Sequence, residues 1–114
     1  MKNSILLIDD LRDVDFVNKT WNVQVNKIAR TFADGIKALK ENNVEILLLD
    51  HDLACYDDEG NELTGYKVML FLEEHPEYLP NRIVLVTSNP VGRAKMQMVI
   101  DKIYKSKSEG EQNG

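Results

Sequence analysis

The chain has one cysteine, Cys55, in 114 residues. A single thiol excludes an intramolecular disulfide and suits a reducing compartment, so a cytoplasmic location is expected. Paired only with His51, it gives too few soft ligands for structural zinc. No apolar run approaches the roughly 18 residues of a membrane span, so no membrane partner is expected. Lys2 is not followed by an apolar signal core and cleavage site, which argues against secretion. Basic residues are also scarce. Fourteen Lys and Arg face nineteen Asp and Glu, a formal net charge of −5. That balance excludes broad, charge-driven binding to duplex nucleic acid, but not recognition of one phosphate or one nucleotide end.

What is present is 43% hydrophobic sequence, enough for a core, in a length that suits one domain. The organising stretch is Glu45 to Leu53, in which Ile46-Leu47-Leu48-Leu49 runs straight into Asp50-His51-Asp52. A short apolar run without alternation fits a central strand buried on both faces. Ile5 to Ile8 and Ile83 to Val86 repeat the pattern, giving strands at Ser4–Ile8 and Arg82–Thr87. Trp21, Val23 and Val25 alternate as in extended structure, and a further strand is placed at Val25–Thr31.

Helices fill the gaps. One is expected from Leu11 to Lys19 with Asp10 as N-cap, and one from Asp34 to Asn42. A third runs from Gly65 to Glu74, capped by Thr64 and stopped near Pro76. Asn89-Pro90 starts the last, whose stripe Met96, Val99, Ile100, Ile103, Tyr104 has helical spacing. The segment from Ala54 to Leu63 reads as a polar loop. The domain is assigned to residues 1–105 and a disordered polar tail to 106–114. Four alternating βα units make a three-layer α/β/α parallel sheet with right-handed crossovers.

Three strands end in polar residues: Asp9-Asp10, Asp50-His51-Asp52 and Thr87-Ser88-Asn89. In open α/β sheets ligands bind beyond the carboxyl ends of the strands, where these groups would meet. Converging carboxylates repel, and a hard divalent cation relieves that repulsion. Mg²⁺ is the expected ion, with Mn²⁺ and Ca²⁺ as alternatives. The helix opening at Asn89-Pro90-Val91-Gly92 offers backbone N–H groups to an anion, and Gly92 would permit close approach.

At these residues the sequence resembles the receiver domains of two-component response regulators. The matching features are Asp9-Asp10, the acceptor-like Asp50, Thr87, and the segment Ala33 to Leu39. More closely, it is similar to a receiver-like family proposed to process cyclic phosphates. That resemblance rests on Leu49-Asp50-His51-Asp52-Leu53, Thr64-Gly65-Tyr66 and Ser88-Asn89-Pro90-Val91-Gly92, and covers Ile5 to about Tyr104. Three departures stand out. His51 between Asp50 and Asp52 is unusual for a phosphoacceptor loop. No apolar run after Tyr104 supplies the fifth strand and its lysine, and Val86 stands where relatives often carry histidine.

The resemblance implies a flavodoxin-like sheet truncated to about four strands in the order 2-1-3-4. It implies a metal-dependent site acting on a cyclic or terminal phosphate of RNA or a nucleotide. Asp9, Asp10 and Asp50 would hold the metal, and His51 would act as general acid or base with Asp52 orienting it. Thr87, Ser88, Asn89 and Gly92 would bind phosphate. Two alternatives stay open: a non-catalytic module docking a signalling partner, and a phosphoacceptor using Asp50. The bare apolar edge of the fourth strand, with the adjoining last helix, is expected to form a homodimer or to dock a partner.

Overall fold

The computed structural model describes residues 4–113, with side chains through residue 106. Strand β1 (Ser4–Ile8) leads to α1 (Val14–Trp21), β2 (Lys27–Ala29), α2 (Phe32–Glu41) and β3 (Val44–Leu49). A small hairpin follows, β4 (Cys55–Tyr56) against β5 (Glu62–Leu63), then α3 (Gly65–Glu74) and a 3₁₀ turn at Pro76–Tyr78. Strand β6 (Arg82–Leu85) and α4 (Pro90–Asn113) complete the chain. The main sheet is parallel with the order β2-β1-β3-β6, which is the expected 2-1-3-4 arrangement of its four strands.

The unbroken apolar runs are explained by burial on both faces. Leu6, Ile8, Leu47, Leu49 and Leu85 point to the side of α2, α3 and α4, where they meet Leu39, Met69, Leu72, Met96, Ile100 and Ile103. Leu7, Leu48 and Val86 point the other way, against Val17 of α1. Each buried leucine contributes about 1.5–3 kcal/mol. The stripe expected on the last helix is this core contact: Met96, Ile100 and Ile103 are buried, and Val99 and Tyr104 pack beside them.

Several boundaries differ from the sequence reading. Helix α1 starts at Val14, not Leu11, because Asp13 is its N-cap and accepts the Phe16 N–H at 3.1 Å. Leu11 is left exposed in the preceding loop. Strand β2 is only three residues long, and Trp21 ends α1 rather than starting extended structure. Helix α2 begins at Phe32 because Thr31 accepts the Asp34 N–H at 3.1 Å. Thr64 occupies the cap position of α3, but its side chain makes no capping bond. The hairpin β4–β5 lies where only a loop was expected, closed by Asp57, whose Oδ1 accepts the Asn61 and Glu59 amides at 2.9 Å each. The backbone of α4 is helical to Asn113, past the boundary placed at Ser106. Residues 1–3 and 114 lie outside the described residues, as do the side chains from 107, on which the expected disordered tail falls. No helix among the described residues is long and apolar enough to cross a membrane.

Candidate functional site

Strand register sets the site. Ile8 of β1 pairs with Leu49 of β3, and Leu49 pairs with Leu85 of β6. The next residues continue the ladder for one step: Asp50 N–H donates to the Ile8 carbonyl and Val86 N–H to the Leu49 carbonyl, both at 3.0 Å. Asp9 N–H donates to Ala29 at 3.1 Å. Asp9 and Asp50 therefore leave adjacent strands side by side. Thr87 comes one residue beyond Val86, and its side chain favours the charged form of the Asp50 carboxylate.

Carboxylate oxygens of Asp9, Asp10 and Asp50 all lie within 4.8 Å of one another, with Asp9 and Asp50 buried. Burial pushes the Asp50 carboxyl above its ordinary value, and the neighbouring Asp9 charge pushes it further. The His51 N–H, Arg12 and Thr87 pull in the opposite direction without cancelling the rise. The donor set is entirely oxygen and offers no thiolate or imidazole, which fits Mg²⁺, Mn²⁺ or Ca²⁺ rather than zinc.

The sequence reading missed Arg12. Its Nη1 donates to Asp9 Oδ2 at 2.8 Å and lies 3.3 Å from Asp50 Oδ1, so one cation bridges the two buried acids. Asp9 Oδ1 accepts the amides of Leu11 and Arg12, each at 3.0 Å. Asp9, not Asp10, thus organises the turn after β1. Arg30, just after β2, fastens the same turn, donating to the carbonyls of Asp9 at 3.2 Å and Arg12 at 2.8 Å. The available signal was an arginine three residues after a strand-ending aspartate.

The second cluster surrounds His51. Its Nδ1 lies 3.0 Å from Asp52 Oδ1 and 3.5 Å from Asn89 Nδ2. A carboxylate only accepts, so the shorter contact makes Nδ1 the donor and leaves the lone pair on Nε2. The imidazole packs against the start of α4. A Cβ at Gly92 would come within 2.5 Å of the ring's Cγ and Cδ2. The His51 carbonyl accepts the Gly65 N–H at 2.8 Å, and its own N–H donates to Asp50 Oδ1 at 2.8 Å. The histidine backbone is therefore held between the acid cluster and the start of α3.

The start of α4 is busier than its sequence suggested. Asn89 caps it, with Oδ1 accepting the Gly92 N–H at 3.0 Å. Asn89 N–H in turn donates to the Thr87 hydroxyl at 3.0 Å. The Arg93 guanidinium turns back to the Leu85 and Thr87 carbonyls at 3.0 and 3.3 Å. Gly92 thus gives its N–H to Asn89 and its open face to His51. Ser88 is exposed beside them.

The model of the cyclic-phosphate processing receiver domain matches residues 4–102. Among solved structures, the chain is similar to one described as the MaeR response regulator bound to beryllium trifluoride. The TM-score is 0.58 at 18% identity, covering 99% of this chain and 100% of that one. A CheY-like response regulator receiver domain protein from Methanospirillum hungatei JF-1 aligns with a TM-score of 0.45 at 15% identity, covering 94% and 98% of the two chains. The likeness to the first bears on the fold alone. No curated protein is significantly similar in sequence.

Proposed function

This chain belongs to the cyclic-phosphate processing receiver family, and from that membership we propose that it is a metal-dependent phosphoesterase that opens a cyclic phosphate on a nucleotide or RNA end. The observation that carries the reading is the His51–Asp52 pair at 3.0 Å beside an oxygen-only acid cluster. Asp9, Asp10 and Asp50 would hold a divalent ion, with Mg²⁺ first and Mn²⁺ or Ca²⁺ as the other candidates. Bound there, it would draw charge from the phosphoryl oxygens.

The chain's own groups supply the remainder. Asp52 holds Nδ1–H of His51, so Nε2 takes a proton from the attacking water. The water oxygen bonds to phosphorus, and one ring P–O bond opens. The released oxygen collects a proton from solvent and the imidazolium returns its own, so one water is consumed and a phosphomonoester results. The hydroxyls of Thr87 and Ser88 and the Asn89 amide bind the phosphate oxygens.

The test is ³¹P NMR of 2′,3′-cyclic nucleotides with protein and Mg²⁺ or Mn²⁺. The account expects a phosphomonoester signal that chelator abolishes; its absence would leave a binding module. A second reading, phosphoryl transfer to Asp50, is favoured by that residue's place at the end of β3 between Asp9 and Thr87. An acyl-phosphate donor labelling Asp50 without cyclic-phosphate turnover would select it.

A further inference from the structure

The space a divalent ion would use between Asp9 and Asp50 already holds a positive group. We infer that Arg12 is a tethered cation that occupies this position until an ion displaces it, and that the displaced guanidinium then binds the incoming phosphate. The inference rests on the metal assignment made under Proposed function.

Three features of the geometry support it. First, Nη1 of Arg12 touches an oxygen of each buried acid, at 2.8 Å on Asp9 and 3.3 Å on Asp50. An ion held by those two acids would compete with Nη1 for the same space. Second, the Arg12 backbone is fixed while its side chain has a way out. Its N–H is bound to Asp9 Oδ1 and its carbonyl to Arg30, yet the side chain is 24% exposed. Displacement is therefore a rotation of the side chain about a fixed Cα, not a loop opening. Third, the charges favour the exchange. Three carboxylates carry three negative charges, of which the guanidinium offsets one and a divalent ion would offset two, so the ion is the better counter-charge. The displaced guanidinium then stands beside a site left one charge negative with its donor fork unpaired, and that fork matches two phosphate oxygens.

The consequence is linkage. Arg12 opposes the ion when phosphate is absent and favours it when phosphate is present, so each ligand tightens the other. Asp10 is the acid that Arg12 does not bridge and offers the first open oxygen to an arriving ion.

The test measures Mn²⁺ affinity by calorimetry, with and without dimethyl phosphate as an unreactive phosphodiester probe, in the parent and in Arg12→Met. Without phosphate, Arg12→Met should bind Mn²⁺ about tenfold more tightly, a coupling of ordinary size. Dimethyl phosphate should tighten Mn²⁺ binding several-fold in the parent and not in Arg12→Met. Equal or weaker Mn²⁺ binding by the variant overturns the role of Arg12 while leaving the metal assignment standing. Absence of Mn²⁺ binding in both proteins overturns the metal assignment and this inference together. Should Arg12→Met fail to fold, the parent alone decides. When Mg²⁺ saturates the site, reported by the Leu11 and His51 amides, the Arg12 Nε–H resonance should shift with them. An unshifted Arg12 resonance overturns the proposal.

Discussion

The imidazole of His51 rests on the bare Cα of Gly92, so closely that a methyl group there would fall within 2.5 Å of two ring carbons. A glycine in the first turn of α4 therefore sets the position of a histidine 41 residues earlier in the sequence. Gly92→Ala should push the ring aside and weaken its pairing with Asp52. The expected result is a phosphoesterase rate lowered by at least about tenfold with Mn²⁺ affinity unchanged. Steady-state kinetics with parallel calorimetry checks this, and a parental rate would show that the ring's resting place is immaterial.

Gly65 has a different task. A Cβ there would collide with the Asp50 carbonyl oxygen and meet the Met96 terminal methyl at 2.9 Å. Neither neighbour has room to retreat, since Asp50 is tied into the sheet ladder and Met96 is buried in the core. Gly65→Ala should cost about 1–3 kcal/mol, as overpacking does, and should disturb the acid cluster as well. Urea unfolding of the metal-free protein gives the value; a change below about 0.5 kcal/mol would contradict the packing.

Asp50→Asn separates stability from binding. The Asp50 carboxyl titrates above its ordinary value, chiefly through burial and then through Asp9. A carboxyl raised in the folded state binds more protons folded than unfolded. Its stability contribution is present below the ordinary value of 3.8 and is lost as pH rises through the raised folded value. Metal-free Asp50→Asn should therefore lack that loss, holding or gaining Tm at pH 7 relative to the parent while binding Mn²⁺ far more weakly. Thermal scans from pH 3 to pH 7 and calorimetry test both halves. Unchanged Mn²⁺ affinity would remove Asp50 from the ligand set.

Tyr104 gives an alkaline counterpart far from the site. Its hydroxyl donates to the Pro80 carbonyl at 2.6 Å, and burial pushes its pKa from 10.0 up to about 12. The neutral phenol is the folded form, so stability is intact below pH 10 and falls as pH rises toward about 12. Tyr104→Phe should lose a little stability at pH 7, where the hydrogen bond is gone, and should lose less than the parent on going from pH 9 to pH 11. Parallel slopes for the two proteins would contradict the assignment.

Strands β1, β3 and β6 were legible because their apolar runs do not alternate, which is the mark of burial on both faces, and Asp9, Asp50 and Thr87 followed as strand ends; β2, placed on an alternating pattern, is shorter than expected. Less legible was anything set by a single side-chain contact. The sequence places the helix cap at Asp10; the cap is Asp13, because the Asp9 carboxylate takes the Leu11 and Arg12 amides and delays the helix. The two-residue strands β4 and β5 are too short to show a period. Gly92 was identified as a place of close approach, but the sequence could not say that His51 makes the approach. Arg12 went unnoticed because one arginine among acids reads as a solvated residue until the register places Asp50 beside it.

The central claim is that the acid cluster and His51 serve one phosphate. It is tested most directly by comparing the parent with His51→Ala in two measurements: Mn²⁺ affinity by calorimetry, and Mn²⁺-dependent opening of a 2′,3′-cyclic nucleotide by ³¹P NMR. The account predicts parental Mn²⁺ affinity and a rate lower by about 10²–10⁴-fold, the span expected for loss of a general base. A rate within about twofold of the parent, or no parental turnover at all, would contradict it.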